Sequence, residues 1–321
     1  MEGIEMAGDV AIMHGTACES QARRIAESAG LPIIKADVTR FKNGEVSVKN
    51  VGESVRGKRI FLVQTGGRDV NNELIETLVL LDALKRAGVG KAVAVLPHFP
   101  YARQDHKDGE REPISAALVA SLLKNAGADE LVSVDLHSSA LPGFFEGNFE
   151  NVRALPLFRD FLKQSLGSSF KDVVIVSPDF GGLKRVEALA NQESLAYGAF
   201  NKHRPRPSEA HVTMYLGPDV RGKTVVLLDD MIDSGSSMLP PSSALKEKGA
   251  KKVIACATHA IFSGNAVEKL EAARDLDEVI VTDSVPVQEG GKIKVIELAH
   301  LLGRVVNAMS EGKSVSALTR L

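Results

Sequence analysis

Three aspartates follow one short apolar segment of the chain, and their types and spacing suggest chemistry more strongly than any other group of residues. The apolar, β-branched run at 224–228 predicts a buried strand, and Asp229, Asp230 and Asp233 come at its end. Carboxylates in such a position can hold sugar hydroxyls or a hydrated cation.

Four small residues come directly after these carboxylates: Ser234, Gly235, Ser236 and Ser237. A turn of small residues that leads into a helix presents backbone N–H groups to an anion. Acid groups beside such a turn suit a ligand that carries both hydroxyls and a phosphate, and a phosphorylated pentose fits that description. The alternative is a plain acidic strand-to-helix turn with a serine N-cap.

Strand and helix signals alternate along the chain. Apolar runs predict strands at 60–65, 93–96, 131–134, 173–176, 224–228, 253–256 and 279–281. Helical periodicity predicts helices at 71–87, 115–125, 244–248, 265–274 and 299–309. This alternation implies mostly parallel sheets, whose ligands bind beyond the carboxyl ends of the strands. Polar motifs lie at these ends, at 98–105, 135–137 and 177–182 as well as in the acidic loop.

The chain also contains an internal duplication. Val55-Arg-Gly-Lys58 precedes one apolar run, and the same tetrapeptide, Val220-Arg-Gly-Lys223, precedes the run at 224–228. Further on, Ala83-Leu-Lys85 recurs as Ala244-Leu-Lys246. Two segments with the same strand–helix–strand order predict a duplicated α/β domain.

The first copy lacks the acidic cluster. Where the second copy has its aspartates, the first has Gln64-Thr-Gly-Gly-Arg-Asp-Val70. If the second copy binds a sugar phosphate, we expect the first to serve subunit contact or the second substrate.

Length and composition limit the classes of function. A chain of 321 residues is longer than a usual single core and favours two domains. Lys+Arg 39 against Asp+Glu 41 gives a net charge of −2, so nothing global indicates nucleic acid or membrane partners. The chain starts without a secretory signal pattern, and Cys18 and Cys256 have no metal or disulfide spacing. We therefore expect a soluble, cytoplasmic protein.

Taken in order, these motifs resemble those of the class I ribose-phosphate diphosphokinases, or PRPP synthetases. The matching motifs run from 41 to 318 and include Phe41-Lys-Asn-Gly-Glu45, Tyr101-Ala-Arg-Gln-Asp105, Asp135-Leu-His137, Ser177-Pro-Asp-Phe-Gly-Gly182, Lys202-His-Arg204 and the acidic loop. The resemblance implies an enzyme that transfers the β,γ-diphosphoryl group of ATP to the 1-hydroxyl of ribose 5-phosphate. The products are PRPP, which feeds nucleotide biosynthesis, and AMP.

The resemblance also implies an architecture. It is α/β, with two duplicated phosphoribosyltransferase-like domains, each a mostly parallel sheet flanked by helices. Residues 1–154 would form the domain on the ATP side, which also makes subunit contacts. Residues 155–321 would form the domain with the ribose 5-phosphate loop and a lid. The implied assembly is a homo-oligomer in which dimers build a hexamer.

Site roles follow from the same resemblance. Asp229, Asp230 and Asp233 would bind the ribose, with Ser234, Gly235, Ser236 and Ser237 on the 5-phosphate. Lys202 would be the catalytic lid residue and Arg204 a second catalytic cation that clamps substrate phosphate. Arg103 and Gln104 would contact ATP. Phe41, Asn43, Gly44 and Glu45 would reach the adenine across a subunit boundary.

Two further sites are implied. His137 and Asp179 would ligate Mg²⁺, the implied cofactor, carried with the ATP phosphates. We favour His137 as a ligand because Asp135 lies two residues before it, on the same face of a strand. An allosteric phosphate site would use Ser54, Arg56, Arg86, Ser314 and Ser316; the alternative there is a plain polar interface.

The sequence departs from the family pattern at several positions. In the anion loop the glycine stands one place earlier than usual, which puts Ser236 where a positive φ is expected, and Pro240 and Pro241 follow at once. Asn43 replaces the usual Asp, and His203 the usual Arg. After His137, Ala140 and Pro142 replace the usual glutamines.

Two alternatives to an active PRPP synthetase therefore remain. One is a non-catalytic regulatory paralogue, which the shifted glycine and the double proline favour. The other is a phosphoribosyltransferase that uses PRPP, and the duplication of the whole domain argues against it.

Overall fold

The computed structural model describes residues 10–49, 51–52, 54–107, 109–203 and 212–319. They form two compact units. The first runs to Arg153 and also contains 284–286 and the segment after Glu297; the second contains 154–283 and 287–296. The predicted limits are 1–154 and 155–321. They place the segment that begins at Glu297 in the second domain, whereas in the structure it belongs to the first unit.

The strands of the described residues are β1 Val10–His14, β2 Ile33–Ile34, β3 Val38–Arg40, β4 Val46–Val48, β5 Arg59–Val63, β6 Lys91–Leu96, β7 Glu130–Val134, β8 Asn148–Val152, β9 Val174–Ser177, β10 Ala196–His203, β11 Val212–Leu216, β12 Thr224–Ile232, β13 Lys252–Ala260, β14 Glu278–Thr282 and β15 Ile293–Ile296. Each of the seven predicted strands is confirmed, with shifts at the ends.

The helices are α1 Glu19–Ala29, α2 Val70–Arg86, α3 Ser115–Ala126, α4 Leu155–Leu166, α5 Leu183–Glu193, α6 Leu239–Glu247, α7 Ala266–Ala272, α8 Ala299–Ser310 and α9 Ser316–Thr319. All five predicted helices are present. None of the helices in the described part of the chain is long and apolar enough to cross a bilayer.

The first unit contains a six-stranded sheet in the order β2-β1-β5-β6-β7-β8, and every pair in it is parallel. A short antiparallel hairpin, β3-β4, accompanies it. Near-continuous apolar strands such as β5 and β6 are buried, as expected for a parallel sheet with both faces covered.

The second unit repeats this design. Its sheet has the order β11-β10-β9-β12-β13-β14-β15, and only the β10–β11 pair is antiparallel. When β11 is set aside, the order matches the first sheet strand for strand. The duplicated mostly parallel α/β architecture is therefore confirmed.

Equivalent hydrogen bonds recur in the two copies. The N–H of Gly57 donates to Gly88 O at 2.9 Å, and the N–H of Gly222 donates to Gly249 O at 2.9 Å. Likewise Asp129 and Asp277 each accept, through a carboxylate, the N–H of the second residue of a central strand, Ala92 of β6 at 2.8 Å and Val253 of β13 at 2.7 Å. The duplication therefore extends from sequence to individual contacts.

Candidate active site

The acidic segment lies where β9 ends and β12 continues, at the edge of the sheet where parallel α/β folds have their ligand crevice. β9 ends at Ser177 and pairs with β12 only as far as Leu227, whereas β12 stays paired with β13 up to Ile232. Asp229 and Asp230 are thus part of the strand, and Asp233 follows it. The prediction that the strand ends before Asp229 is wrong, because pairing with β13 holds four more residues in extended backbone.

One guanidinium pairs with both strand carboxylates. Nη1 of Arg185, in the first turn of α5, lies 3.6 Å from Oδ1 of Asp229 and 3.8 Å from Oδ1 of Asp230. All three side chains are largely buried. Arg185 can neutralise only one of the two carboxylates, so the pair favours a proton, a hydroxyl donor or a cation beside it.

The pKa of the Asp229 carboxyl is held well above its usual range. Burial is the largest cause, followed by the negative charge of Asp230 and a hydrogen bond with it. Arg185 opposes the shift, and Asp179 adds a smaller increase. Asp229 and Asp230 therefore form an acidic pair that favours holding a proton or a ligand donor between them.

The turn at 233–238 has the backbone of an anion loop. Gly235 adopts φ +82, so the positive φ falls on the glycine and not on Ser236. The carbonyl of Gly235 accepts the N–H groups of Met238 and Leu239, each at 3.0 Å, and closes the turn. Within the described residues, no backbone carbonyl accepts the N–H groups of 234–237.

Neither proline disturbs the helix that follows this turn. α6 begins at Leu239, and Pro240 and Pro241 occupy its first turn. The N–H groups of a first turn have no acceptor inside the helix, so their absence costs little there. The earlier glycine and the double proline are therefore compatible with a formed loop.

In the first copy the equivalent loop is closed by the protein itself. There α2 has 17 residues where α6 has 9, and its extra N-terminal turns carry Glu73 and Glu76. The N–H of Gly67 donates to Oε2 of Glu73, and the N–H of Asp69 donates to Oε1 at 3.4 Å. Burial raises the pKa of Glu73, and these two bonds partly offset the rise. An internal carboxylate thus occupies the place of an anionic ligand.

The residues expected to meet ATP lie on two exposed turns of the first unit. Phe41, which is 58% exposed, begins the turn between β3 and β4 that also carries Asn43, Gly44 and Glu45. Gly44 has φ +93, and its N–H donates to Phe41 O at 2.9 Å. Asn43 Oδ1 accepts the N–H of Glu45 at 3.3 Å, which fixes one end of its amide.

Arg103 and Gln104, both exposed, lie on a second turn, which follows Tyr101. Tyr101 has φ 60, a conformation that is rare for an aromatic residue, and its hydroxyl donates to Asn71 Oδ1. The N–H of Ala116, at the start of α3, donates to Gln104 O at 3.1 Å. This turn is therefore held at both ends.

Comparison with known proteins decides the family. The family model described as the N-terminal domain of ribose phosphate pyrophosphokinase matches residues 10–127, and the one described as phosphoribosyl synthetase-associated domain matches 199–320. A ribose-phosphate pyrophosphokinase from Aquifex aeolicus is 40% identical over 311 residues, which is 96% of this chain and 98% of that protein. The chain belongs to the ribose-phosphate pyrophosphokinase family.

Further relatives within the family agree. A ribose-phosphate pyrophosphokinase from Bacillus caldolyticus is 39% identical over 92% of this chain and 93% of its own length. The crystal structure of phosphoribosylpyrophosphate synthetase from Mycobacterium smegmatis superimposes with a TM-score of 0.88 at 36% identity, and covers 95% of this chain and 99% of that one.

The two expected Mg²⁺ ligands of this pyrophosphokinase differ in setting. Asp179 belongs to the second unit, where its Oδ1 accepts the N–H of Gly182 at 3.3 Å and its charge acts on Asp229. His137 belongs to the first unit and is exposed. Its predicted support by Asp135 on one strand face is wrong: β7 ends at Val134, and Asp135 turns inward with φ 39.

The donor set suits a hard cation that is bound mainly by substrate. Within the described residues, no group of three or more His, Cys, Asp or Glu side chains could hold a metal alone. Mg²⁺ usually keeps several waters and uses one or two carboxylates together with substrate phosphates. Asp179, with the carboxylates beside it, fits that role.

The lid residues of the family pattern are only partly described. The backbone of Lys202 is on β10 and pairs with Thr213 on β11. Arg204 lies outside the described residues. Of the expected allosteric positions, Ser54, Arg56, Arg86, Ser314 and Ser316 are all exposed in the first unit.

Sequence reasoning missed two charged residues at the strand ends: Arg185, which pairs with Asp229 and Asp230, and Glu76, which accepts a hydrogen bond from Gln64. Arg185 lies in the first turn of α5 and Glu76 in the second turn of α2, and in both helices the apolar positions give the stronger sequence signal. Their signal was a charge placed shortly after a strand-end motif, and that signal is weak without coordinates.

Proposed function

We propose that this chain is an active ribose-phosphate diphosphokinase, which transfers the β,γ-diphosphoryl group of ATP to the 1-hydroxyl of ribose 5-phosphate and releases AMP. One observation carries the proposal. The second unit combines a buried acidic pair with a turn whose N–H groups meet no backbone acceptor, whereas the equivalent loop in the first unit is closed by Glu73. This contrast supports a sugar-phosphate site in the second unit.

Each part of ribose 5-phosphate is assigned to a group at this edge of the sheet. The N–H groups and hydroxyls of 234–237 hold the 5-phosphate, which needs no buried cation because backbone dipoles stabilise the anion. Asp229 and Asp233 accept hydrogen bonds from the ribose hydroxyls, and Asp230 tunes Asp229. Held in this way, the 1-hydroxyl is oriented for in-line attack.

The nucleotide and the lid complete the site. Arg103 and Gln104 contact ATP, and the 41–45 turn contacts its adenine. Lys202 and Arg204 neutralise charge on the transferring group, which matters most for this kind of transfer. Asp179 and His137 would hold Mg²⁺, which supplies Lewis-acid neutralisation of the phosphate oxygens.

The surroundings of the reaction are proposed with it. We expect a cytoplasmic homo-oligomer built from dimers, up to a hexamer. Ile75, Leu118 and Leu122 form exposed apolar positions on α2 and α3, as a subunit contact requires. Phosphate and ADP would act at the exposed positions Ser54, Arg56, Arg86, Ser314 and Ser316.

The test is release of AMP from ATP with Mg²⁺, with and without ribose 5-phosphate. We expect pentose-dependent AMP formation and a loss of about 10²-fold or more in Lys202→Ala, as for other groups that stabilise transition-state charge. Absence of any pentose-dependent AMP would favour a regulatory paralogue. Consumption of PRPP with a free base, without AMP formation, would favour a phosphoribosyltransferase.

A further inference from the structure

A buried carboxylate in the first unit has no part in the proposed reaction. Glu76, in the second turn of α2, is 1% exposed. Its Oε1 accepts the N–H of Thr16 at 2.5 Å and Nε2 of Gln64 at 2.9 Å, and its Oε2 accepts the Thr16 hydroxyl at 2.8 Å. A carboxylate buried so fully is expensive unless its lone pairs are satisfied in this way.

The neighbouring residues leave space for the Glu76 side chain and orient its hydrogen-bond donors. A Cβ on Gly15 would lie 2.2 Å from Nε2 of Gln64 and 2.8 Å from Oε1 of Glu76, so only glycine leaves room. The Gln64 amide is oriented from its other side, because Cys18 Sγ donates to its Oε1 at 3.5 Å. The network lies at the ends of β1 and β5, which correspond to the ends of β9 and β12 in the second unit.

One partner of Glu76, Arg40, is partly exposed to solvent. Nη2 of Arg40, the last residue of β3, lies 3.6 Å from Oε2 of Glu76. Its Nη1 lies 3.4 Å from both Gly44 O and Asn72 Oδ1. Asn72 is itself fixed, because its Nδ2 donates to Oδ2 of Asp69 at 2.7 Å.

Arg40 therefore joins the β3–β4 turn to the buried network. β3 and β4 are three residues each and pack on the core of the first unit through Val38 and Val48, but every residue from 41 to 45 is exposed. A two-stranded hairpin of this length depends on such packing for its stability. The guanidinium fork adds a second anchor, at the backbone carbonyl of Gly44 within the exposed turn.

We infer that Arg40, held by Glu76, is a positioning residue that sets the 41–45 turn for the adenine of ATP. The fixed end of this linkage is Glu76, held by Thr16 and Gln64 at the ends of β1 and β5. The inference rests on the proposed function, since it concerns the nucleotide that the reaction consumes. Arg40 and Glu76 touch no reacting atom in this scheme.

The test is Arg40→Met, which keeps the aliphatic stem and removes the fork. Because the Arg40 side chain is 41% exposed, the variant is expected to fold. We expect the KM for ATP to rise about 5- to 20-fold, with kcat and the KM for ribose 5-phosphate changed less than twofold. Arg40→Lys should recover little of the loss, because one ammonium nitrogen cannot occupy the two positions from which Nη2 faces Glu76 and Nη1 faces Gly44 and Asn72.

Arg23→Met is the matched control. Arg23 also lies in the first unit, is 46% exposed and pairs with a carboxylate, Glu19, at 2.6 Å, but its helix bears no expected site residue. It should leave both KM values unchanged. Amide hydrogen exchange gives a readout independent of turnover: the N–H groups of Phe41 and Gly44 should exchange faster in Arg40→Met than in Arg23→Met.

A double variant separates positioning from general weakening. Arg40→Met should add little to Phe41→Ala, because the turn then has no ring left to position. Equal KM values for ATP in Arg40→Met and the parent, with unchanged exchange at 41–45, would overturn the inference while leaving the enzyme active. Absence of pentose-dependent AMP in the parent protein would instead defeat the proposed function.

Discussion

Arg185 holds two carboxylates in the crevice of the second unit, and its loss should be costly. Arg185→Met leaves Asp229 and Asp230 buried without their cation, and breaking such a buried pair typically costs about 3–5 kcal/mol. We expect a loss of that order in the free energy of unfolding, measured by urea denaturation at neutral pH.

Asp230→Asn in the same background provides the control. Removing one of the two opposed charges should return part of the lost stability, because the remaining carboxylate no longer faces an anion. If the double variant is as unstable as Arg185→Met, the cost comes from lost packing of the arginine stem and not from charge.

The buried carboxyl of Asp229 should lower the stability of the folded protein at neutral pH, although the proposed function needs it to bind ribose 5-phosphate. Its pKa is raised in the folded protein above the usual value near 3.8, so the folded state binds more protons than the unfolded state between those two pKa values. Stability therefore falls as the pH rises through this window, by at most about 1.4 kcal/mol per pH unit for one group.

Asp229→Asn should remove this loss of stability with rising pH, because an amide does not titrate. We expect the variant to unfold at a higher temperature than the parent at pH 7, with the difference shrinking towards pH 4. Its KM for ribose 5-phosphate should rise about tenfold to a hundredfold, the effect of about 1–3 kcal/mol lost from a hydrogen-bonded charged group. A thermal melting series from pH 4 to 8 and a pentose titration check both. A parent protein that gains stability over this pH range would contradict the assignment.

Residue types at the strand ends could be predicted from sequence, but their partners could not. Asp229 and Asp230 stand out because acids follow an apolar run, whereas Arg185 pairs with them from 44 positions away in the chain (229 − 185 = 44). In the sequence Glu76 looks like an ordinary surface residue of a helix. Only the structure shows that α2 brings it to the side chain of Gln64, just after β5. Such pairings depend on the connection path between elements, which local periodicity does not encode.

At the scale of elements, the anion loop depends on one backbone conformation. Gly235 has φ +82, and a Cβ added there would meet nothing closer than Leu239 Cδ1 at 3.6 Å. Gly235→Ala therefore introduces backbone strain without a clash, at a cost of about 1–2 kcal/mol. We expect it also to raise the KM for ribose 5-phosphate about tenfold, because the N–H groups that face the phosphate shift with the turn.

Gly222→Ala distinguishes the two effects. Gly222 has φ +72 with nothing within 4 Å of an added Cβ, and it lies at the other end of β12. Both variants should lose similar stability in thermal melts, but Gly222→Ala should keep the parental KM. Equal KM values in the two variants would show that the turn geometry does not control phosphate binding.

Long apolar strands were predictable, and the elements that shape the sites were less so. β5, β6 and β12 are nearly continuous runs of buried side chains, which the sequence marks clearly. β2 has two residues and β3 and β4 have three, too few for a periodic signal. The end of β12 was misplaced because its last residues include aspartates, which disfavour strands locally, while pairing with β13 overrides that preference.

At the scale of the whole molecule, the two copies of the duplicated domain differ at corresponding strand ends. The two copies share strand order and several hydrogen bonds, yet differ in where the central strand ends and the next helix begins. In the second unit a strand of 9 residues, β12, precedes a helix of 9 residues. In the first unit a strand of 5 residues, β5, precedes a helix of 17 residues, whose first turns bring Glu73 and Glu76 to the strand ends.

The return of the C-terminus to the first unit gives a last prediction. α8 belongs to that unit and packs along α1, where a Cβ on Gly303 would lie 2.6 Å from Ser28 Oγ and 3.2 Å from Ala29 N. Glycine in a helix normally costs about 1 kcal/mol against alanine, so close packing is the reason to keep it. Gly303→Val should instead destabilise the first unit by about 1–3 kcal/mol through overpacking.

Hydrogen exchange would locate the effect. Protection should fall in α1 and β1 of Gly303→Val, while β12 and β13 of the second unit keep theirs, because each unit has its own buried core. Gly290→Ala, where an added Cβ meets nothing within 4 Å, is the matched change in the second unit and should alter neither. Uniform loss of protection across both units in Gly303→Val would mean that they unfold as one cooperative body.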